Sequence, residues 1–267
     1  SEILKLKDIK NYNLDSEILL STTLKLDRSQ LLLNLDKIIE NKKKEIFLNF
    51  IKRRSRNEPV AYITGYKEFW KSNFKVNKNV LIPRPDTETI IYQVLSELNI
   101  NSTKKILDIG TGSGCLSITL ELELGIRNIT ATDVSQSALV VANKNQKKHG
   151  SSILFVHHDF LNEGFKNKFD LIVSNPPYIS KNEMTNLGQH IIRYEPHQAL
   201  TDGTDGLEFY RRFSKIGRNV LSKGGRMILE FGGFKQKDNV LSIFEDYLCS
   251  IINDQNNEPR LIEAIYE

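Results

Sequence analysis

A glycine-rich loop between a predicted strand and a predicted helix constrains the fold of this chain more than any other feature. Lys105–Ile109 has the pattern of a buried strand, Gly110–Gly114 follows at once, and Leu116–Leu124 has the apolar spacing of a helix. Strands and helices then alternate along the chain (strand 128–133, helix 135–148, strand 153–157, strand 171–173). This alternation predicts an α/β domain with a mostly parallel, Rossmann-like sheet. In such sheets ligands bind beyond the carboxyl ends of the strands.

The residues around the glycine loop favour a nucleoside that carries an amino acid over NAD. Gly110-Thr111-Gly112-Ser113-Gly114 lacks the two-residue gap before the last glycine that places a pyrophosphate on a helix end. Asp108 precedes the first glycine, where it can meet a cationic amino group. Asp133 ends the next predicted strand, and an acid at that position can accept both hydroxyls of a ribose. Asp159 and Phe160 end the third strand and can line an adenine pocket, although Phe160 also fits a plain core position.

A second polar motif follows the strand 171–173. Two consecutive prolines in Asn175-Pro176-Pro177-Tyr178 end any strand ladder, because proline lacks an N–H. The Asn175 side-chain oxygen and the Pro176 carbonyl are two acceptors that suit the two hydrogens of a planar –NH2 group. Tyr178 offers a ring on which such a plane can stack. The tetrad therefore predicts a site that positions an amide or amino nitrogen without a general base. The alternative is a simple turn or polyproline fragment.

Composition excludes several classes of protein. The 267 residues are 39% hydrophobic and 26% charged, which is ordinary for a globular protein. No apolar run is long enough to span a membrane, and the N-terminus has no signal-peptide core. Cys115 and Cys249 form neither a disulfide framework nor a metal motif, and His157 and His158 lack a third ligand. We therefore expect a cytoplasmic protein without a metal site.

The charge is uneven along the chain and divides it into regions. Residues 1–80 carry 17 Lys/Arg and 10 Asp/Glu (+7), and the remainder carries 20 and 23 (−3), which sum to the net charge of +4. Apolar residues at helical spacing predict a small helical bundle over 1–65, which binds a partner or frames the cleft. A β-hairpin linker is predicted over 66–85 and the α/β domain over 86–267.

Local signals predict the details of these regions. Asp15 and Asp27 are predicted helix N-caps, and Asn77–Asn79 is the predicted turn of the linker hairpin. The Asp86/Thr87 region is the predicted cap of a helix over 89–97. Arg84, between two prolines, is either structural or at the cleft rim. The predicted elements after the tetrad are a long loop 179–205, a helix 207–221, a strand 226–231, a helix 235–247 and a closing antiparallel hairpin (250–252 and 261–266).

With these pieces placed, the chain resembles the class I S-adenosylmethionine-dependent methyltransferases. More narrowly, it is similar to the HemK/PrmC-type protein-(glutamine-N5) methyltransferases that act on peptide chain release factors. Five segments in this order carry the resemblance: Glu58–Gly65, Ile82–Glu88, Asp108–Gly114, Asn175–Tyr178 and Glu195–Leu200. The resemblance covers nearly the whole chain and implies a class I methyltransferase sheet preceded by a substrate-docking helical bundle.

The resemblance also implies roles for individual residues. The cofactor-binding set is Asp108, Gly110, Thr111, Gly112, Ser113, Gly114, Asp133, Phe160 and Asn175. The catalytic set is Asn175, Pro176, Pro177 and Tyr178. Phe160 stands where some relatives have Trp, and the segment 201–207 differs mildly from the commoner double-glycine form, so that loop carries less weight.

Cofactor and partners are implied in the same way. The donor would be S-adenosylmethionine, with S-adenosylhomocysteine as product, and methyl transfer would be a direct in-line displacement. The acceptor would be the glutamine amide in the Gly-Gly-Gln motif of class I release factors. In some bacterial relatives this module is fused to a tRNA guanine-N7 methyltransferase, and this sequence does not indicate whether a longer parent chain exists.

Three alternatives stay open at this point. Adenine-N6 DNA or RNA methyltransferases share the tetrad but favour a large basic groove, whereas the α/β part of this chain is slightly acidic. The relative that methylates a glutamine in a ribosomal protein has Pro-Arg-Ser where this chain has Pro83-Arg84-Pro85. A non-catalytic binding module is the third, and the intact donor loop argues against it.

Overall fold

The computed structural model describes residues 1–34, 38–97 and 104–266, which fall into two compact units. The helical unit comprises Ser1–Tyr66 and Gly188–Tyr194, and the sheet unit comprises Lys67–Leu187 and Glu195–Glu267. This division differs from the predicted one, which kept 188–194 with the α/β domain. The Tyr194 hydroxyl donates to the Arg56 carbonyl (2.9 Å), a contact that joins this segment to the helical unit.

The helical unit is built from short helices around a small apolar core. They are α1 (Glu2–Lys5), α2 (Tyr12–Leu24), α3 (Arg28–Leu32), α4 (Asn41–Arg54) and α5 (Val60–Thr64). The core residues are Leu4, Ile9, Leu19, Ile51 and Ile63. Asp27 caps α3 in a capping box with Gln30, as predicted. The predicted cap at Asp15 is wrong, because Asp15 lies inside α2 and pairs with Arg54 at 2.7 Å.

A two-stranded hairpin follows, formed by β1 (Tyr66–Phe69) and β2 (Ser72–Lys75). Its turn is at Trp70 and Lys71, not at the predicted asparagines. The Glu88 carboxylate accepts the Trp70 N–H (2.7 Å), which holds Trp70 at a positive φ of 55°. Asn77 instead accepts the Asn79 N–H (2.9 Å) in a local turn after the hairpin.

The rest of the sheet unit alternates strands and helices, and α9 belongs to the segment assigned to the helical unit. In chain order the elements are α6 (Glu88–Glu97), β3 (Ile106–Ile109), α7 (Cys115–Leu124), β4 (Ile129–Asp133), α8 (Gln136–His149), β5 (Leu154–His157), β6 (Phe169–Ser174), α9 (Gln189–Tyr194), α10 (Glu208–Val220), β7 (Leu221–Glu230), α11 (Phe234–Ile243), β8 (Leu248–Asn253) and β9 (Pro259–Ile265). The strand order is β5-β4-β3-β6-β7-β9-β8. Strands β5 to β7 in this order are parallel, and β9 is antiparallel to both neighbours. The predicted fold is confirmed.

Alternate side chains of the central strands fill two apolar cores. In β3, Ile106 enters one core and Leu107 the other. In β6, Val173 and Ile172 divide in the same way. This is the continuous apolar pattern of strands that are covered on both faces.

The topology places two motifs side by side. The chain leaves β3 toward β4 on one side and returns to β6 on the other, which makes the gap beyond their carboxyl ends a topological switch point. Ile109 of β3 lies opposite Ser174 of β6 in the ladder. The glycine loop and the Asn175–Tyr178 tetrad therefore leave the sheet as neighbours.

The predicted cap of α6 is also wrong. Pro85–Thr87 form a 3-10 turn that continues directly into α6, and no side chain caps the start of that turn. The Thr87 hydroxyl instead donates to Glu230, at the end of β7 (2.7 Å). Among the helices of the described residues, none is long and apolar enough to cross a membrane.

Candidate active site

A cavity of about 320 Å³ lies at the carboxyl ends of the parallel strands, within the size range of small-molecule sites. Its lining residues are Asn79–Leu81, Ile109, Gly110, Gly112, Thr132–Ser135, Ala138, His158–Asn162, Asn175, Pro177, Pro196, Gln198, Ala199, Thr201, Asp202 and Phe209. Six predicted site residues are among them: Gly110, Gly112, Asp133, Phe160, Asn175 and Pro177. The other six predicted site residues are not among the lining residues: Asp108, Thr111, Ser113, Gly114, Pro176 and Tyr178.

The glycine loop presents bare backbone to the cavity. Gly110 and Gly112 have φ of +74° and +56°, and a Cβ at either position would meet nothing within 4 Å. Glycine is therefore required there for the left-handed conformation, and the space beside it is open to a ligand. Gly114 has another function, because its Cβ would lie 3.2 Å from Phe155 and Ile118. It permits close packing of α7 on the sheet.

Asp133 faces the cavity and also organises the loop. Its carboxylate oxygens accept the Gly112 N–H and the Ser135 N–H, each at 2.8 Å. Burial raises the pKa of Asp133 above its ordinary value. Each carboxylate oxygen has a further lone pair, so the group can still accept hydroxyls from a ligand.

Asp108 lies beneath the loop and is almost fully buried, with 1% of its surface exposed. The Thr111 hydroxyl donates to its carboxylate (2.6 Å), and the Ser117 hydroxyl lies 3.1 Å from that of Thr111. Burial raises the pKa of Asp108 to about 6. These contacts hold the loop from below, and the predicted contact of Asp108 with a ligand ammonium stays a prediction.

Phe160 is both a core residue and part of the cavity wall. Only 4% of it is exposed, and its ring lies 4.4 Å from that of Phe213 and 5.9 Å from that of Phe209. The Phe160 carbonyl accepts the Arg212 Nε–H (3.0 Å), which fixes the backbone there. The two sequence interpretations of Phe160 are thus compatible, and its contact with an adenine stays a prediction.

The tetrad is pinned at both ends. The Ser174 hydroxyl donates to the Ile109 carbonyl (2.7 Å), which ties the end of β6 to β3. The Asn175 Nδ2 donates to the Thr87 Oγ1 (2.8 Å), so the amide nitrogen faces Thr87. The Tyr178 hydroxyl donates to Glu230 (3.4 Å), and burial raises the pKa of Tyr178 well above its ordinary value. The Gln236 Nε2 donates to the Tyr178 carbonyl (2.7 Å).

Gly206 contacts the tetrad at its backbone. A Cβ at Gly206 would lie 2.3 Å from the Tyr178 carbonyl oxygen, and its φ is +81°. No real side chain fits that space without moving the backbone. The segment 201–207 therefore constrains the position of Tyr178 through Gly206, although it counted for less in the family resemblance.

An ion pair joins two segments that carry the family resemblance. The Arg84 Nη2 lies 2.6 Å from the Glu195 Oε1, and the Ile82 N–H donates to the other oxygen (3.2 Å). The Glu195 side chain is buried, with 1% exposed, and that of Arg84 is 32% exposed. Arg84 therefore has the structural role that one of the two sequence interpretations gave it, and it is not among the residues that line the cavity.

Several residues that shape this site were not predicted from the sequence. Phe209 lines the cavity from α10. In the sequence, its helical spacing with Phe213 indicates only a buried helix face and not a ligand site. Buried Asn145 bonds the Ser113 carbonyl (2.8 Å) and the backbone of Lys75. Within residues 1–34, 38–97 and 104–266, no three His, Cys, Asp or Glu side chains are arranged to hold a metal ion.

Comparisons with known proteins match both parts of the chain. Residues 1–65 match the PrmC N-terminal domain family and residues 89–206 the methyltransferase small domain family. A crystal structure of a methyltransferase from Pyrococcus furiosus superposes with a TM-score of 0.55 at 19% identity, over 81% of this chain and 98% of that one. This likeness concerns the fold.

Two curated relatives are similar over nearly the whole chain. A bifunctional methyltransferase from Rickettsia typhi is 39% identical over 94% of this chain, which spans about half (52%) of that relative's length. A release factor glutamine methyltransferase from Clostridium botulinum is 38% identical over 98% of this chain and 95% of its own. The resemblance found in the sequence is thereby confirmed, and the chain belongs to the release factor glutamine methyltransferase family.

Proposed function

We propose that this chain transfers a methyl group from S-adenosylmethionine to the side-chain amide nitrogen of a glutamine in class I release factors, at their Gly-Gly-Gln motif. One observation carries the proposal: the Asn175 amide is bonded through its nitrogen to Thr87, beside the open glycine loop. Its oxygen is thus the end that is left for a substrate N–H.

The residues around the cavity fit the donor. The Gly110 and Gly112 backbone leaves room for a ligand that approaches closely, and Asp133 supplies acceptors for ribose hydroxyls. Phe160 supplies an aromatic ring in the cavity wall for a base. When bound, S-adenosylmethionine supplies a methyl group that is already activated on a sulfonium, so no residue has to generate a strong nucleophile.

The chain's own residues then act by position. The Asn175 oxygen and the Pro176 carbonyl accept the two N–H groups of the substrate amide, and Tyr178 packs on its plane. These contacts fix the nitrogen where its lone pair faces the methyl group. An amide nitrogen is a poor nucleophile, because its lone pair is delocalised, so alignment and exclusion of water are the main contributions.

Family membership supports a release factor as substrate over nucleic acid. The near full-length match to the Clostridium botulinum release factor glutamine methyltransferase carries this preference. The basic excess of the helical unit is partly used inside it, since Arg54 pairs with Asp15 and Arg53 with Glu58. Among the described residues, the lysines of α4 form no ion pair, and we assign them to a docked factor as part of the proposal.

Transfer of a tritiated methyl group tests the proposal directly. Purified release factor, ribosomal protein, tRNA and DNA are offered separately. We expect label on the release factor only, and none when its motif glutamine is replaced by alanine. Label only on nucleic acid would favour the adenine-N6 alternative, and label only on ribosomal protein would favour the other glutamine methyltransferase.

A further inference from the structure

We infer that Thr87 and Glu230 act as positioning residues, which hold the Asn175 amide with its oxygen toward the substrate; the inference rests on the proposed function. Neither residue lines the cavity. They form a hydrogen-bonded chain behind it: Thr87 Oγ1 to Glu230 Oε2 (2.7 Å) and Asn175 Nδ2 to Thr87 Oγ1 (2.8 Å).

The order of donors in this chain follows from elementary chemistry. An ionised carboxylate only accepts, so Glu230 must receive the single hydroxyl hydrogen of Thr87. The Thr87 oxygen can then only accept, so Asn175 must present its –NH2 group. The two ends of an amide have nearly the same shape, and packing alone would not choose between them. The buried carboxylate makes that choice.

Glu230 serves both polar side chains of the tetrad. It is fully buried (0% exposed), and Thr87 is 5% exposed. While Thr87 bonds one carboxylate oxygen, the Tyr178 hydroxyl donates to the other (3.4 Å). Arg260 at the start of β9 forms its ion pairs with Asp86 and Asp254, and not with Glu230. Burial of a carboxylate is costly unless hydrogen bonds or opposite charges compensate for the lost water. The hydrogen bonds of Glu230 also organise Asn175 and Tyr178.

The charge on Glu230 is therefore part of the mechanism. Burial raises the pKa of Glu230 to about 7, nearby Asp86 acts in the same direction, and Thr87, Arg260 and Tyr178 oppose it. From α10, the Tyr210 hydroxyl donates to the Glu230 backbone carbonyl (2.6 Å). A protonated Glu230 can itself donate to Thr87, which frees the Thr87 hydrogen and removes the constraint on Asn175. Turnover should fall on the acid side of about pH 7.

A matched pair of substitutions tests the inference on the full chain. Thr87→Val keeps the shape and removes the hydroxyl, whereas Thr87→Ser keeps the hydroxyl. We expect Thr87→Val to lower kcat on the order of tenfold to a hundredfold, with KM and donor Kd changed by less than about threefold. Thr87→Ser should keep most of kcat. The decline of kcat below about pH 7 (the acid limb of the pH profile) should be present in the wild type and absent in Thr87→Val. Loss of a merely structural contact would not remove this pH dependence.

A third variant keeps the test decisive if Thr87→Val does not fold. Glu230→Gln cannot ionise and can donate from its –NH2 group to Thr87, as protonated Glu230 does. Its kcat should therefore stay near the low wild-type value of acid pH at every pH, with no decline below pH 7 of its own. Three results would overturn the inference but leave the proposed function standing. They are a wild-type kcat in Thr87→Val, equal losses in both Thr87 variants, and an unchanged acid limb in Glu230→Gln. Absence of methyl transfer by the wild-type chain to release factor would overturn the proposed function, and the inference with it.

Discussion

Replacing Gly206 by alanine should impair catalysis far more than it impairs folding. The new Cβ would lie 2.3 Å from the Tyr178 carbonyl oxygen and 3.0 Å from its carbon. Normal contact requires at least about 3 Å, so the two backbones must separate by nearly 1 Å. A misplacement of about 1 Å at a reacting group costs on the order of a hundredfold in rate, or about 2.7 kcal/mol of activation free energy.

Gly203 in the same loop provides the matched control. Its φ is +79°, close to the +81° of Gly206, but a Cβ there would meet nothing within 4 Å. Both alanine variants therefore incur the cost of a left-handed backbone, about 1–2 kcal/mol of unfolding free energy. Only Gly206→Ala also displaces Tyr178.

The assay combines urea unfolding with the rate of methyl transfer at saturating substrates. We expect Gly203→Ala to keep its turnover within about threefold and Gly206→Ala to lose about a hundredfold. Wild-type turnover in Gly206→Ala, or equal losses in the two variants, would refute the reasoning that Gly206 sets the position of the tetrad.

Three further predictions follow from the site. Asn175→Ala should keep donor binding, measured by calorimetry, and lose most turnover; wild-type rates in this variant would contradict the proposed amide contact. Glu195→Gln should lower the free energy of unfolding by about 1–2 kcal/mol because it weakens the bond to partly exposed Arg84, whereas Glu17→Gln, in an exposed pair, should change it by less than about 0.5 kcal/mol. The pKa of Glu230 is raised on folding from 4.5 to about 7, so its stabilising contribution is complete below about pH 4.5 and is lost as the pH rises through about 7. Wild-type unfolding free energy should therefore decline across this window by up to about 3 kcal/mol more than that of Glu230→Gln, and parallel curves would contradict the assignment.

The sequence predicts the sheet well because its signals are local. Apolar runs, the glycine loop and the double proline each report on a few neighbouring residues, and the alternation of elements fixes the architecture. The same local signals predict that Gly110, Gly112, Asp133 and Asn175 meet at one edge of the sheet. The cavity lined by these residues follows from that topology.

The sequence fails where side chains take distant partners. Asp15 and Thr87 are residue types that commonly cap helices. In the structure Asp15 instead bonds Arg54, 39 residues away, and Thr87 bonds Glu230, 143 residues away. The hairpin turn is at Trp70 because Glu88 fixes its backbone from the next helix. Glu230 is the last residue of β7, whose neighbouring residues have an ordinary apolar core pattern. No local sequence signal therefore predicts that Glu230 bonds Thr87 and Tyr178.

The most direct test of the account is methyl transfer to purified release factor, measured as tritium incorporated per mole of protein. We expect about one methyl group per release factor in the wild-type substrate and none in the glutamine-to-alanine substrate. Equal labelling of both substrates would place the methyl group elsewhere and contradict the assignment of Asn175–Tyr178 as the site that binds a glutamine amide.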